Sequence, residues 1–184
     1  MADSDITKRA LAAALKSLVE KKSFAKITVS DVCEMCGMNR KSFYYHFKDK
    51  YDLVNWIYET ECVAVLRQKG CLTGWELLDD LCAYFYANRT FYRATLLVEG
   101  QNSFSDYLWD FVVSVIKDDV VRIFGAEEAK DFFVDFYADA YLAAIKRWLL
   151  QKDCMPADQF VEHLKHTVIG GSHIVMQCYA DDTI

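Results

Sequence analysis

Three groups of side chains in this sequence are able to do chemistry. The run Arg40-Lys41-Ser42-Phe43-Tyr44-Tyr45-His46-Phe47-Lys48 gathers a guanidinium, two ammonium groups and two phenols, a set suited to holding a polyanion. Cys33 and Cys36 are spaced as a redox dithiol or half a zinc site would be. His163, His166 and His173 are ligand-type residues at steps of three and seven. No further Cys pair or Cys/His group at zinc spacing accompanies them, so no metal is expected, while a thiol switch at the Cys pair stays open. No Ser/His/Asp order, phosphate loop or metal motif is found, and neither a cofactor nor catalysis is expected.

The elements that would carry the basic run give it meaning. Thr28-Val-Ser-Asp31 reads as a capping box: the Thr28 hydroxyl accepts from the Asp31 N–H while the Asp31 carboxylate reaches back, so a helix starts near Thr28. Gly37 ends it by taking positive φ, and Asn39 caps the next helix, expected from about Arg40 to Phe47. Two short helices about a tight glycine turn form a helix-turn-helix, whose second helix enters the major groove of DNA. At about 100° per residue, Arg40, Lys41, Tyr44, Tyr45 and Lys48 share one arc, with Phe43 and Phe47 opposite. A solvated helix packed by two Phe has the same outline. Two adjacent Tyr beside Arg and Lys are nonetheless what a DNA face uses, the cations for guanine edges and the hydroxyls for phosphates.

Composition points to an all-α class. With 184 residues, 53% of them hydrophobic, one Pro and seven Gly, the chain can bury a sizeable core and has little material for turns. The net charge of −6 disfavours a nucleic-acid partner until its distribution is considered. Residues 1–50 hold 10 Lys+Arg against 6 Asp+Glu, whereas residues 51–184 hold 11 against 21. A basic head on an acidic body suits a protein that touches DNA at one end. The seven Cys, an odd number with no export signal, fit reduced thiols, most of them small core residues. No apolar run reaches the ~18 residues that span a bilayer, and a cytoplasmic location with no membrane partner is expected.

Ile6, Ala10, Leu11, Ala14, Leu15 and Leu18 predict an amphipathic first helix. Asp49 caps a fourth, about 49–68, with the stripe Leu53, Trp56, Ile57, Tyr58, Val63 and Leu66. It would join a head, residues 1–50, to a body, residues 51–184, as a rigid rod. Helices are expected over Trp75–Asn88, Thr90–Glu99, Phe104–Phe124, Glu127–Gln151 and Ala157–Tyr179, divided by Gly100, Gly125 and Pro156.

The segment from Thr28 to Phe47, followed by Lys48-Asp49-Lys50 and Leu53, resembles the DNA-binding domain of the TetR family of transcriptional regulators, over residues 5–58 or so. The likeness rests on the Gly37 turn, the Phe43-Tyr44-Tyr45-His46-Phe47 run and Lys50. It implies contacts to bases and phosphates from Arg40, Lys41, Ser42 and Tyr45. Tyr44, His46, the Thr28 end of the preceding helix and Lys50 would grip the DNA backbone, and the free N–H groups of helix N-termini supply a physical reason at Thr28 and Lys50. Asn39 stands where Ser is common but still caps; Lys41 stands where a small residue is common and would alter which operator is read. The family packs small residues where Cys33 and Cys36 stand, which favours packing for both. The resemblance further implies a homodimer on a near-palindromic operator of double-stranded DNA, with a small-molecule or protein effector acting on the body. Residues 51–58 and Trp148-Leu-Leu-Gln-Lys152 resemble the subgroup containing activators of dihydroxyacetone-kinase operons, which can answer to a partner protein.

In the body, Phe136, Ala140, Ala143, Ala144, Ile145 and Trp148, then Leu164, Val168, Gly171 and Val175, could face an identical partner or fill the protomer's own core. The middle is aromatic: Tyr84, Phe85, Tyr86, Phe91, Tyr92, Phe104, Tyr107 and Trp109. Tyr86, Arg93, Glu99 and Trp109 are the candidates for an effector pocket, with Gln101 as a further polar anchor and plain core as the alternative. The competing function is a protein-interaction regulator of the same fold that signals through its body without touching an operator.

Overall fold

The computed structural model describes residues 2–69, 74–97, 103–124 and 130–180, with side chains for 4–69, 74–97, 103–118 and 131–170. Cys71, Glu99, Gly100, Gln101 and Gly125 lie outside the described residues, as do the side chains of His173, Val175 and Cys178. All regular structure among the described residues is helical.

The head begins with α1 (Ala2–Val19), which buries Leu11, Leu15 and Leu18. Ile6 departs from the expected buried face: it is 65% exposed, because the first turns of α1 run past the head's core. A 3-10 turn (Phe24–Lys26) leads to α2 (Val29–Met35), α3 (Arg40–His46) and α4 (Lys50–Tyr58). Leu11, Leu15, Phe24, Ile27, Val32, Phe43 and Phe47 bury together with Leu53 and Ile57 of α4.

Gly37 has φ +67, as a tight turn after α2 requires, and nothing lies within 4 Å of where a Cβ would sit. Gly37→Ala therefore meets no clash and only the left-handed backbone penalty. Urea unfolding should show a loss of about 1–2 kcal/mol.

The expected rod is not a uniform α-helix. A π turn (Glu59–Val63) separates α4 from α5 (Ala64–Gln68), the Ala64 N–H donating to the Glu59 carbonyl. Val54, Tyr58, Cys62 and Leu66, all at steps of four, are at most 5% exposed. Steps of four overshoot a regular α-helical turn by about 40° each, and the wider turn absorbs that drift so that all four stay inside.

The body adds α6 (Gly74–Ala87), α7 (Arg89–Leu96), α8 (Phe104–Phe124), α9 (Lys130–Leu150) and α10 (Ala157–Ala180). Along α8 and α9, the Trp109 Nε1 donates to Asp139 Oδ1 at 2.9 Å, and α10 meets α6 through Lys165 and Asp79 at 2.9 Å. Trp148 lies flat on Phe160 with ring centroids 4.3 Å apart and donates to the Met155 carbonyl at 2.8 Å, closing the α9–α10 corner. One continuous buried cluster runs from Leu11 in the head to Val161 in α10. No described helix is long and apolar enough to cross a membrane.

Candidate nucleic-acid interface

Helix α3, the second of the helix-turn-helix, divides as its spacing predicts. Phe43 is 0% exposed and Phe47 4%, while Tyr45 is 83% exposed and Tyr44 50%. Phe47 packs edge-on to Trp56 of α4 at 5.8 Å, and Phe43 and Phe47 are 5.8 Å apart. This aromatic wedge turns Arg40, Lys41, Tyr44, Tyr45 and Lys48 outward, all of them exposed. The Arg40 guanidinium stands 5.8 Å over the Tyr44 ring and reaches the Tyr44 hydroxyl at 3.4 Å. His46 is half-buried against Tyr45, with ring centroids 4.9 Å apart.

The caps that set this face are those the sequence predicts. Thr28 and Asp31 form the full capping box: the Thr28 N–H and hydroxyl donate to the Asp31 carboxylate at 2.7 and 2.8 Å, and the Asp31 N–H returns to the hydroxyl at 3.2 Å. Lys22 pairs with Asp31 at 2.7 Å, and this bond, with those from Thr28, holds the Asp31 carboxyl well below the usual carboxylate range. Asn39 Oδ1 accepts from the Ser42 N–H at 2.8 Å and from its hydroxyl at 3.3 Å. Thr28, Asn39 and Ser42 thus already serve the caps that aim α3. After α2, the Met38 N–H donates to the Cys33 carbonyl at 2.9 Å across the Gly37 turn.

Lys50 has partners that its position in the sequence does not announce. Its ammonium is directed into the head, where it donates to the carbonyls of Phe24 (2.8 Å), Ala25 (3.3 Å) and Ile27 (2.8 Å). It also lies over the Phe24 ring at 4.7 Å and the Tyr51 ring at 5.5 Å. Lys22, beside the start of α2, is a cation that the sequence reading missed, since only the fold brings it to Asp31.

A family model described as bacterial regulatory proteins, tetR family, matches residues 10–57, and one described as transcriptional regulator C-terminal region matches residues 75–170. The chain belongs to the TetR family. Over 158 residues it is 27% identical to the HTH-type dhaKLM operon transcriptional activator DhaS of Lactococcus lactis subsp. lactis (strain IL1403), covering 80% of this chain and 81% of that one. Several solved structures share the fold, these three among them. The dihydroxyacetone kinase operon activator DhaS has 20% identity and a TM-score of 0.66, with 92% of this chain and 97% of that one covered. A TetR regulator from Streptococcus agalactiae 2603V has 24% identity and a TM-score of 0.62, with 88% and 92% covered. NalD, the secondary repressor of the MexAB-OprM multidrug efflux pump in Pseudomonas aeruginosa, has 18% identity and a TM-score of 0.61, with 92% and 96% covered.

Of the four residues expected to line an effector pocket, the three that are described each hold a partner within the protomer. Arg93 is spent on the end of α9: it donates to the carbonyls of Leu149 and Gln151, and to that of Lys152 at 3.3 Å, where helical carbonyls lack partners. Tyr86 stacks on Trp148 at 6.1 Å, Trp109 bridges to Asp139, and Glu99 lies outside the described residues. The aromatic middle is packed instead around Tyr58, which meets Phe85, Tyr92, Phe104, Tyr107 and Phe111 at centroid distances of 5.2–6.4 Å. Among the described residues the Tyr58 hydroxyl has no hydrogen-bond partner, and burial pushes its pKa far up.

Cys33, Cys62 and Cys82 are buried, as small core residues should be, and burial raises the pKa of each thiol. The half-buried Cys36 thiol turns back to the Val32 carbonyl at 3.2 Å. Among the described residues no group of His, Cys, Asp and Glu could hold a metal ion.

Proposed function

We propose that the protein is a cytoplasmic, homodimeric transcriptional regulator that reads a near-palindromic operator with α3 and is controlled through its body by an effector. The observation that carries the reading is the exposed Arg40, Lys41, Tyr44 and Tyr45 face, held outward by the buried Phe43 and Phe47. In this reading Arg40, Lys41 and Tyr45 meet base edges and phosphates, and Ser42, Tyr44 and His46 the backbone nearby, while Thr28 and Asn39 set the angles of α2 and α3. The working division is a head of residues 1–50 and a body of residues 51–184, joined by the interrupted helix 49–68.

Support for a second copy comes from α9. Phe132 and Phe136 are 69% and 57% exposed, Ala140 and Ala143 continue their stripe, and Ile145 and Trp148 turn into the protomer's own core. Asp131, Asp135 and Asp139 precede the midpoint of α9, and Lys146 and Arg147 follow it, beside an open groove of about 530 Å³ that also includes Leu150. An antiparallel pair of such helices sets acids against bases and the Phe ridge against the groove, twice, as a two-fold axis demands. Arg147→Glu should weaken the dimer by about tenfold or more in sedimentation equilibrium, and adding Asp135→Arg should recover much of it. A double variant no better than the single one would exclude that pairing.

The closed packing around Tyr58 favours a partner protein over a small molecule as effector, and the sequence similarity to an operon activator favours activation as the output. Fluorescence anisotropy at low salt tests the central claim. The full-length protein should bind the DNA flanking its own gene with about nanomolar affinity, weakening steeply with salt. Equal affinity for random duplex would refute the operator-reading role.

A further inference from the structure

We propose that Lys50 is a positioning residue of the DNA-reading head: its ammonium fastens the Phe24–Ile27 turn to the first turn of α4 and neutralises no DNA phosphate. An ammonium has three N–H donors, and here three carbonyls accept from it, those of Phe24, Ala25 and Ile27, at 2.8, 3.3 and 2.8 Å. Phe24 and Ile27 are each 1% exposed, so their carbonyls belong to a closed part of the head. The ammonium also lies over the rings of Phe24 and Tyr51, which are themselves edge-on at 5.5 Å. Burial lowers the pKa of the ammonium, as expected of a cation drawn away from water.

The consequence is geometric. The Phe24–Lys26 turn leads through Thr28 into α2, and α2 and the Gly37 turn carry α3. Lys50 is itself the first residue of α4, against which Phe47 packs through Trp56. The Lys50 socket and the Phe47–Trp56 contact are thus separate fastenings of the α2–α3 pair to α4, beside the shared core of Val32, Phe43, Leu53 and Ile57. Without the socket, the start of α2 would lose the polar tie that Lys50 makes to α4 and keep its apolar contacts. The exposed Arg40, Lys41 and Lys48 are then left to meet phosphates and bases.

The inference rests on the head binding DNA, and its test has one arm that needs no DNA. Hydrogen exchange of the full-length free protein should quicken at the amides of residues 24–35 in Lys50→Met, and also in Lys50→Arg, whose planar guanidinium cannot reproduce three converging ammonium bonds. In anisotropy titrations against the gene-flanking duplex, both variants should lose about tenfold in affinity while the slope of log K against log salt stays at the wild-type value. Lys41→Met, a phosphate or base contact, should lower that slope by about one. The proposal fails if Lys50→Met lowers the slope by about one while Lys50→Arg binds like wild type, because an arginine satisfies a phosphate and not this socket. Unchanged exchange at residues 24–35 in both variants would overturn it as well, whatever the DNA results. Absence of operator preference in the wild-type protein would instead strike the DNA-reading role itself, leaving the exchange arm to decide the socket.

Discussion

Replacing Lys41 and Tyr45 together by Ala should abolish preference for the operator while leaving the protein folded. Tyr45 is 83% exposed and Lys41 is exposed, so neither supports the core. Contacts of their kind are worth about 1–3 kcal/mol each, and losing both should weaken operator binding by roughly a hundredfold or more. Binding to random duplex should fall much less, since Arg40 and Lys48 remain. Anisotropy against both duplexes, with circular dichroism to establish folding, reads the result. A double variant that still distinguishes operator from random DNA would move the reading face away from α3. It would also favour the rival regulator that signals through its body alone.

Phe43→Ala should act in the opposite way, on the fold rather than the contact. Phe43 is fully buried and reaches no surface that DNA could touch. Truncating a buried Phe costs about 3–5 kcal/mol, a large share of the stability of a small domain. The urea midpoint should fall accordingly, and apparent operator affinity should follow the folded fraction. Phe43→Leu, which refills most of the volume, should cost far less and bind normally. If Phe43→Ala kept wild-type stability, the aromatic wedge would not be what turns the cationic face outward.

Lys41, Tyr45 and Phe43 were legible because their roles depend on neighbours a few positions away. The Thr28–Asp31 box, the Asn39–Ser42 cap, the Gly37 turn and the Phe43/Phe47 side all follow from local rules of capping and periodicity. Lys50 and Arg93 were not legible. Their partners stand 23–26 and 56–61 residues away and are mostly backbone carbonyls, which no side-chain pattern announces. A basic residue near a DNA-binding motif reads as a phosphate contact until the fold shows what it already holds. The aromatic middle was open to two readings, a lined pocket or plain core, for a related reason. Tyr58, Phe85, Tyr92 and Phe104 fill the space between helices with one another, and composition does not distinguish a lined cavity from a filled one. The wide turn at Glu59–Val63 was hidden because its residues have ordinary helical character, and only the run of inward positions at steps of four betrays it.

The unbroken cluster from Leu11 to Val161 bears on how the molecule can be dissected. A fragment ending at residue 50 would carry the reading helix but lack Leu53 and Ile57, which close the head's interior, and would strip Lys16 from its partner Glu61. Such a fragment should be a poor folder, and limited proteolysis of the whole chain should not release it as a stable product. Calorimetry should likewise show head and body melting in a single cooperative step, so that damage to the reading end is felt throughout the chain.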